Sequence, residues 1–252
     1  MPHAQCSMLN AQCSLLNAQC SLLIAHCSFW RLVRIAVASL AFFSPTPSLA
    51  AAPALTAWLA AQANLQTWSA EVIQTRALKT FTQPLTNSGH IWFAAPNRFR
   101  WEIGSPAQTI AVRQADQMLV VYPRLKRAER YPLDGELKSQ WKEMLDLLEA
   151  GFPRSQADME SRFKIISLTS THDVHTVALQ PRSPAARRLT PQLKITFSTN
   201  DFTLRATELQ FADGSTLRNE FRHATLNPNR APDTFEAKPG SDYKIVEPLK
   251  KK

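Results

Sequence analysis

The most reactive side chains in this sequence are four cysteines, Cys6, Cys13, Cys20 and Cys27, spaced seven apart in an AQCS-type repeat over residues 4–31. Metal sites need ligands that converge, and paired cysteines usually lie two to four residues apart. On a helix, a spacing of seven repeats down one face, about two turns each time. The pattern therefore reads as a low-complexity extension over residues 1–30, or as a start assigned too far upstream.

The second cluster is His172-Asp173-x-His175. Strand residues three apart point to opposite faces, so these imidazoles do not converge on a metal. His90 and His223 are isolated and read as strand-surface residues. Glu143, Asp146 and Glu149 read as the wet face of a helix. The sequence has no G-x-S-x-G, H-E-x-x-H or P-loop, and no nucleophile can be paired with a base. The residues point to a non-enzyme without metal or cofactor.

Residues 31–50 read as a secretory signal. Arg31 and Arg34 form its positive end, Ile35–Phe43 its apolar stretch, and Ser48-Leu49-Ala50 a small-residue cleavage site after Ala50. The apolar stretch is too short for a permanent membrane span. Cys27 follows Ile-Ala-His and Cys13 follows Asn-Ala-Gln, and neither is a lipid-attachment box. Residues 51–252 then form one exported domain without cysteine, carrying 27 basic and 20 acidic residues, a net +7. Export argues against nucleic acid as the partner of that charge. Acidic partners and anionic lipid headgroups remain open.

The elements must hold such a domain together by packing alone. Pro53 to about Gln66 reads as a helix with Leu55, Trp58, Leu59 and Leu65 on one face. A strand runs from Trp68, a turn falls at Ser88-Gly89, and NRFRWEI (Asn97–Ile103) alternates. Phe99, Trp101 and Ile103 share one side of it, and Arg98, Arg100 and Glu102 the other. Strands follow through Ile110 and Val112, then Met118–Pro123, then a charged edge strand over Lys126–Pro132. Leu137–Phe152 is the clearest helix, with Trp141, Met144, Leu145, Leu148 and Phe152 at helical spacing. A short helix over Ser155–Ser161 precedes strands at Phe163–Ser170, Val174–Gln180, Gln192–Ser198 and Thr203–Phe211. Asp213-Gly214 makes a hairpin, and short tail strands are expected at Ala224–Leu226, Thr234–Glu236 and Lys244–Val246. The fold class is α+β, mainly β: an unclosed, strongly curved antiparallel sheet, a half-barrel, covered by a helical lid.

Apolar side chains line both covers of this sheet. The strands offer Ile91, Phe93, Phe99, Trp101, Ile110, Val112, Leu119 and Val121, and the helices Trp58, Leu59, Trp141, Leu145 and Leu148. They form either an ordinary core or a pocket for acyl chains, each buried CH₂ contributing about 0.8 kcal/mol.

Gly89–Ile103, GHIWFAAPNRFRWEI, resembles the LolA-type outer-membrane lipoprotein carrier family, in which a strand runs into Pro-Asn and then Phe-x-Trp. The likeness continues through Pro106–Ile110, Met118–Leu133, the turn at Ala212-Asp213-Gly214, and the F-x-x-x-P-G ending Phe235–Gly240. It implies a periplasmic, monomeric carrier that shields lipoprotein acyl chains and delivers them from inner to outer membrane. Its partners would be acylated lipoproteins, an inner-membrane ABC-type release complex and an outer-membrane receptor of similar fold. Phe99 and Trp101 would line the cavity, with Phe93, Ile110, Val112, Leu119 and Val121 beside them and Trp141, Leu145 and Leu148 on the lid. Many relatives carry an arginine before Pro-Asn that holds the lid closed. Here that position is Ala95, and alternation aims Arg98 and Arg100 away from Phe99 and Trp101. A carrier of free lipid or glycolipid, or a lipid-sensing regulatory domain of the same fold, is the alternative reading.

Overall fold

The computed structural model describes residues 51–133, 138–229 and 231–248, with a few side chains inside those ranges, Trp141 among them, left out. The repeat, the segment read as an export signal and the terminal lysines lie outside the described residues.

Twelve strands form one unclosed sheet, in the order β12-β6-β5-β4-β3-β2-β1-β11-β10-β9-β8-β7. They are β1 (Thr67–Ala77), β2 (Leu85–Ala94), β3 (Arg98–Ile103), β4 (Thr109–Arg113), β5 (Gln117–Tyr122), β6 (Arg127–Pro132), β7 (Phe163–Thr171), β8 (Val174–Pro181), β9 (Gln192–Ser198), β10 (Leu204–Gln210), β11 (Thr216–Leu226) and β12 (Lys244–Val246). Every pairing is antiparallel except β12 with β6. The curved, mainly β half-barrel read from the sequence is therefore observed. Helices are α1 (Ala51–Ala63), α2 (Lys138–Leu148), α3 (Gln156–Arg162) and α4 (Pro184–Leu189).

Alanine and leucine favour the helical backbone of α1, and Pro53 sits in its first turn, where a missing N–H costs nothing. Leu55, Trp58 and Leu59 are buried, as is Leu65 just past the helix end. Trp58 stacks on Phe197 of β9, with ring centroids 4.6 Å apart and planes 17° from parallel. Each such side chain removed from water stabilises the fold by about 1.5–3 kcal/mol. Ser155 caps α3, its hydroxyl accepting from the Asp158 N–H at 3.0 Å.

Several boundaries differ from the sequence reading. Ser88-Gly89 is not a turn but lies within β2, whose neighbour β3 comes so close that a Cβ at Gly89 would collide with the Glu102 carbonyl. The turn comes earlier, over residues 78–84, and lengthens the β1–β2 hairpin. The charged strand β6 is not an edge, because β12 pairs alongside it. Ala224–Leu226 continues β11, and Pro232–Phe235 is a 3₁₀ turn rather than a strand. Helix α4 was not foreseen. Ser183 caps it by accepting from the Ala186 N–H at 3.3 Å, and Pro184 occupies its first turn.

Candidate functional site

Residues directly opposite in adjacent strands share a face, so the register sorts the candidate side chains. One row runs Trp68, Phe93, Phe99, Arg113, Met118 and Tyr131 across β1 to β6. The next runs Ala70, Ile91, Trp101, Ala111, Val120 and Glu129. Both belong to the inner face, the side on which α1 and the segment after α2 pack. Phe93 and Phe99 are buried, while Trp101 and Ile103 are half-buried against the main core.

Ile110, Val112, Leu119 and Val121 belong to the outer face. Leu119 and Val121 pack with Ala128, with Ile110, Ala237 and Tyr243 against them. The C-terminal tail seals this side. Phe235 is buried, Arg98 lies 5.2 Å over its ring, and Arg100 Nη1 donates to the Glu236 carbonyl at 3.0 Å. Gln114 Nε2 donates to the Phe235 carbonyl at 3.2 Å. The structure thus brings Phe93, Phe99 and Trp101 together and sets the other four strand candidates behind them. Arg98 and Arg100 point away from the inner face, as alternation required.

On the helical side, Leu145 is buried and Leu148 half-buried. Trp141 lies on α2, and its side chain is outside the described residues. Two residues outside the cavity candidates matter more. Phe152 stacks flat on Phe93, with centroids 4.2 Å apart and planes within 4°, and meets Trp68 edge-on at 5.1 Å. Trp68, almost fully buried, also meets Phe221 edge-on at 5.2 Å. A cavity of about 20 Å³ remains between Gln62, Leu65, Phe93, Ala95, Pro96, Phe152 and Arg154. That is room for about one water. The Phe152 ring covers Phe93 and Trp68 at this point of the inner face.

The acidic residues of α2 and its end are not a wet face. Glu149 forms an ion pair with Arg113 of β4, Glu143 accepts from the Ser183 hydroxyl at 2.5 Å, and Asp146 lies 3.9 Å from Arg162. Burial pushes the Arg113 guanidinium below its ordinary value, and the nearby Asp146 charge opposes that shift. Arg113 sits two residues past Ala111 on the inner face, and that alternation was the available signal. Farther along, buried Glu129 accepts from Tyr131 Oη at 2.6 Å and pairs with Arg127 at 2.6 Å. Burial first, then the bond to Glu129, pushes the Tyr131 phenol well above its usual range.

The histidines do not assemble a site. His172 occupies the β7–β8 turn with φ 55°, while buried His175 stacks on Phe197 at 5.6 Å with its Nδ1 2.8 Å from Ser170 Oγ. His90 stacks on Trp92 at 4.3 Å, and exposed His223 lies 3.1 Å from Glu71. Among the described residues no group of three or more His, Cys, Asp or Glu could hold a metal ion. The indole N–H groups of Trp58, Trp68 and Trp101 are buried without an acceptor in the protein. The clustered rings of Phe93, Phe99, Trp101 and Phe152 present apolar surface and dispersion rather than a metal or charge site.

No helix of the described residues is long and apolar enough to cross a membrane. A curated outer-membrane lipoprotein carrier protein from Chromohalobacter salexigens is 27% identical over 158 residues, covering 61% of this chain and 69% of that one. Among solved structures, an uncharacterized conserved protein from Thermus thermophilus covers 79% of this chain and 99% of its own, at 10% identity and TM-score 0.47. A LolA superfamily protein from Nitrosomonas europaea covers 75% and 97%, at 10% identity and TM-score 0.37. The family model described as outer membrane lipoprotein carrier protein LolA matches residues 63–238, from the end of α1 to the tail beyond Phe235, and the chain belongs to that family.

Proposed function

We propose that this chain is a periplasmic carrier that shields the acyl chains of lipoproteins against its inner face and delivers them from the inner to the outer membrane. The observation that carries the reading is the aromatic inner face of Phe93, Phe99 and Trp101, closed by the Phe152 ring. Acyl chains would replace Phe152 over Phe93 and Trp68, exchanging one apolar contact for another, so loading and release stay near balance. Leu145 and Leu148 of α2 would form the lid side of the site, with Trp141 beside them. The release complex and an outer-membrane receptor are the partners this cycle requires, and export would remove residues 1–50.

The Arg113–Glu149 ion pair is the latch in this reading. It joins the sheet to the end of the lid, the task for which Ala95 leaves no arginine at the usual position. Replacing Phe99 with Glu puts a carboxylate on the inner face, which should abolish lipoprotein loading while the domain stays folded. Unchanged loading in a folded Phe99→Glu protein would refute the assignment of this face.

A further inference from the structure

Strands β1, β3 and β5 all run toward the same end of the sheet, so the β1–β2, β3–β4 and β5–β6 turns share one rim. β12 runs parallel to β6 and brings Lys244 to that rim, opposite Arg127. Large apolar side chains stand in solvent here. Leu125, at the tip of the β5–β6 turn, is 70% exposed, and Phe81, in the β1–β2 turn, is 56% exposed. Leu85 and Ile245, at 43% and 47%, flank them. Lone exposed apolar residues are ordinary, but these four gather at one end of the fold.

The charge beside them is mainly positive, with Asp213 close to Lys79 and Asp242 paired with Lys126. Arg124, Lys126 and Arg127 surround Leu125, Lys244 adjoins them through its N–H bond to the Lys126 carbonyl at 2.8 Å, and Lys79 lies in the Phe81 turn. Arg127 is matched by buried Glu129, and Lys126 by Asp242. Arg124 and Lys244 remain exposed beside Leu125, the most exposed leucine among the described residues.

We propose that this rim is a docking surface for an anionic lipid bilayer, with Leu125 and Phe81 entering the interface and Arg124, Lys79 and Lys244 meeting headgroup phosphates. Apolar tips flanked by cations suit that occupant, because the tips gain from burial and the cations from a negative surface. The surface is separate from the inner face, so the inference does not depend on the cargo. It would hold a carrier at the membrane while the lid exchanges.

The test is flotation of the soluble chain, purified from a bacterial host, with vesicles of phosphatidylethanolamine and phosphatidylglycerol, and with phosphatidylcholine vesicles. The wild type should float with the anionic vesicles, and high salt should release it. Arg124→Glu with Lys244→Glu should weaken binding by roughly tenfold or more. Leu125→Asp with Phe81→Asp should weaken it comparably, while Arg222→Glu, an exposed cation toward the other end of β11, floats like wild type. Binding that is absent, equal on phosphatidylcholine, or indifferent to the rim substitutions overturns the proposal. Equal loss in Arg222→Glu also overturns it, because net charge rather than the rim would then explain flotation. Failed lipoprotein loading with intact flotation would sink the carrier reading and leave the rim standing.

Discussion

The two halves of the inner face are built differently. Beneath α1, the strands β8 to β10 present Val177, Leu179, Leu193, Ile195, Phe197 and Leu204, all buried, and Trp58 fills the space between them and the helix. Beneath the α2 segment, Trp101 and Ile103 are only half-buried. Closure there rests on the Phe152 ring, on Leu147 and Ala150, and on the Arg113–Glu149 ion pair. Both halves belong to one buried cluster, but the second also carries half-buried apolar side chains and is held to the sheet by an ion pair. If the face opens to cargo, the second half is where opening costs least.

The largest expected effect breaks the core half. Trp58→Ala empties a fully buried site and should cost about 3–5 kcal/mol of unfolding free energy in a denaturant titration. Next comes the latch. Arg113→Gln leaves Glu149 half-buried without its partner and should cost about 1–3 kcal/mol. In hydrogen exchange, α2 and the residues up to Phe152 should then exchange faster, while β8 and β9 keep their protection. Equal acceleration in both halves would show that the cover is not a separate unit. Phe152→Ala should cost about 1–2 kcal/mol, since that ring is only partly buried, and should raise binding of a fluorescent fatty acid several-fold.

The smallest effect sharpens the comparison from outside both halves. The Ser215 hydroxyl and N–H donate to Asp213 in the β10–β11 turn and hold its carboxyl below the usual aspartate value. A lowered folded pKa gives stability that is present above the ordinary aspartate range and lost as pH falls through the folded value. Asp213→Asn should therefore lower stability slightly at neutral pH, the group being solvent-exposed, and flatten the stability profile in the acid range.

Much of this was legible from residues. The alternation of NRFRWEI placed Phe99 and Trp101 together and sent Arg98 and Arg100 to the other side, where they hold the tail. The face of β4 and β5 was not legible. Alternation says which residues of a strand share a side, but turn geometry decides which side it is, and one residue more or less reverses it. The Gly104–Gln108 turn sets Ile103 opposite Thr109, so Ile110 and Val112 fall on the side of Glu102 and Arg100. Their partners come from a tail more than a hundred residues later, and no local pattern announces that cover. Glu149 read as solvated for the same reason: its partner Arg113 lies in another element. The Ser88-Gly89 misreading came from taking glycine as a turn signal where it serves close strand approach.

The most direct test of the central claim compares the two faces of adjacent strands in one experiment. A photocrosslinking amino acid placed at Phe99, on the inner face, or at Val121, on the outer face, would be activated in cells making lipoproteins. The account predicts adducts of acylated lipoprotein from position 99 and none from position 121. Equal adducts from both positions, or adducts from position 121 alone, would contradict it.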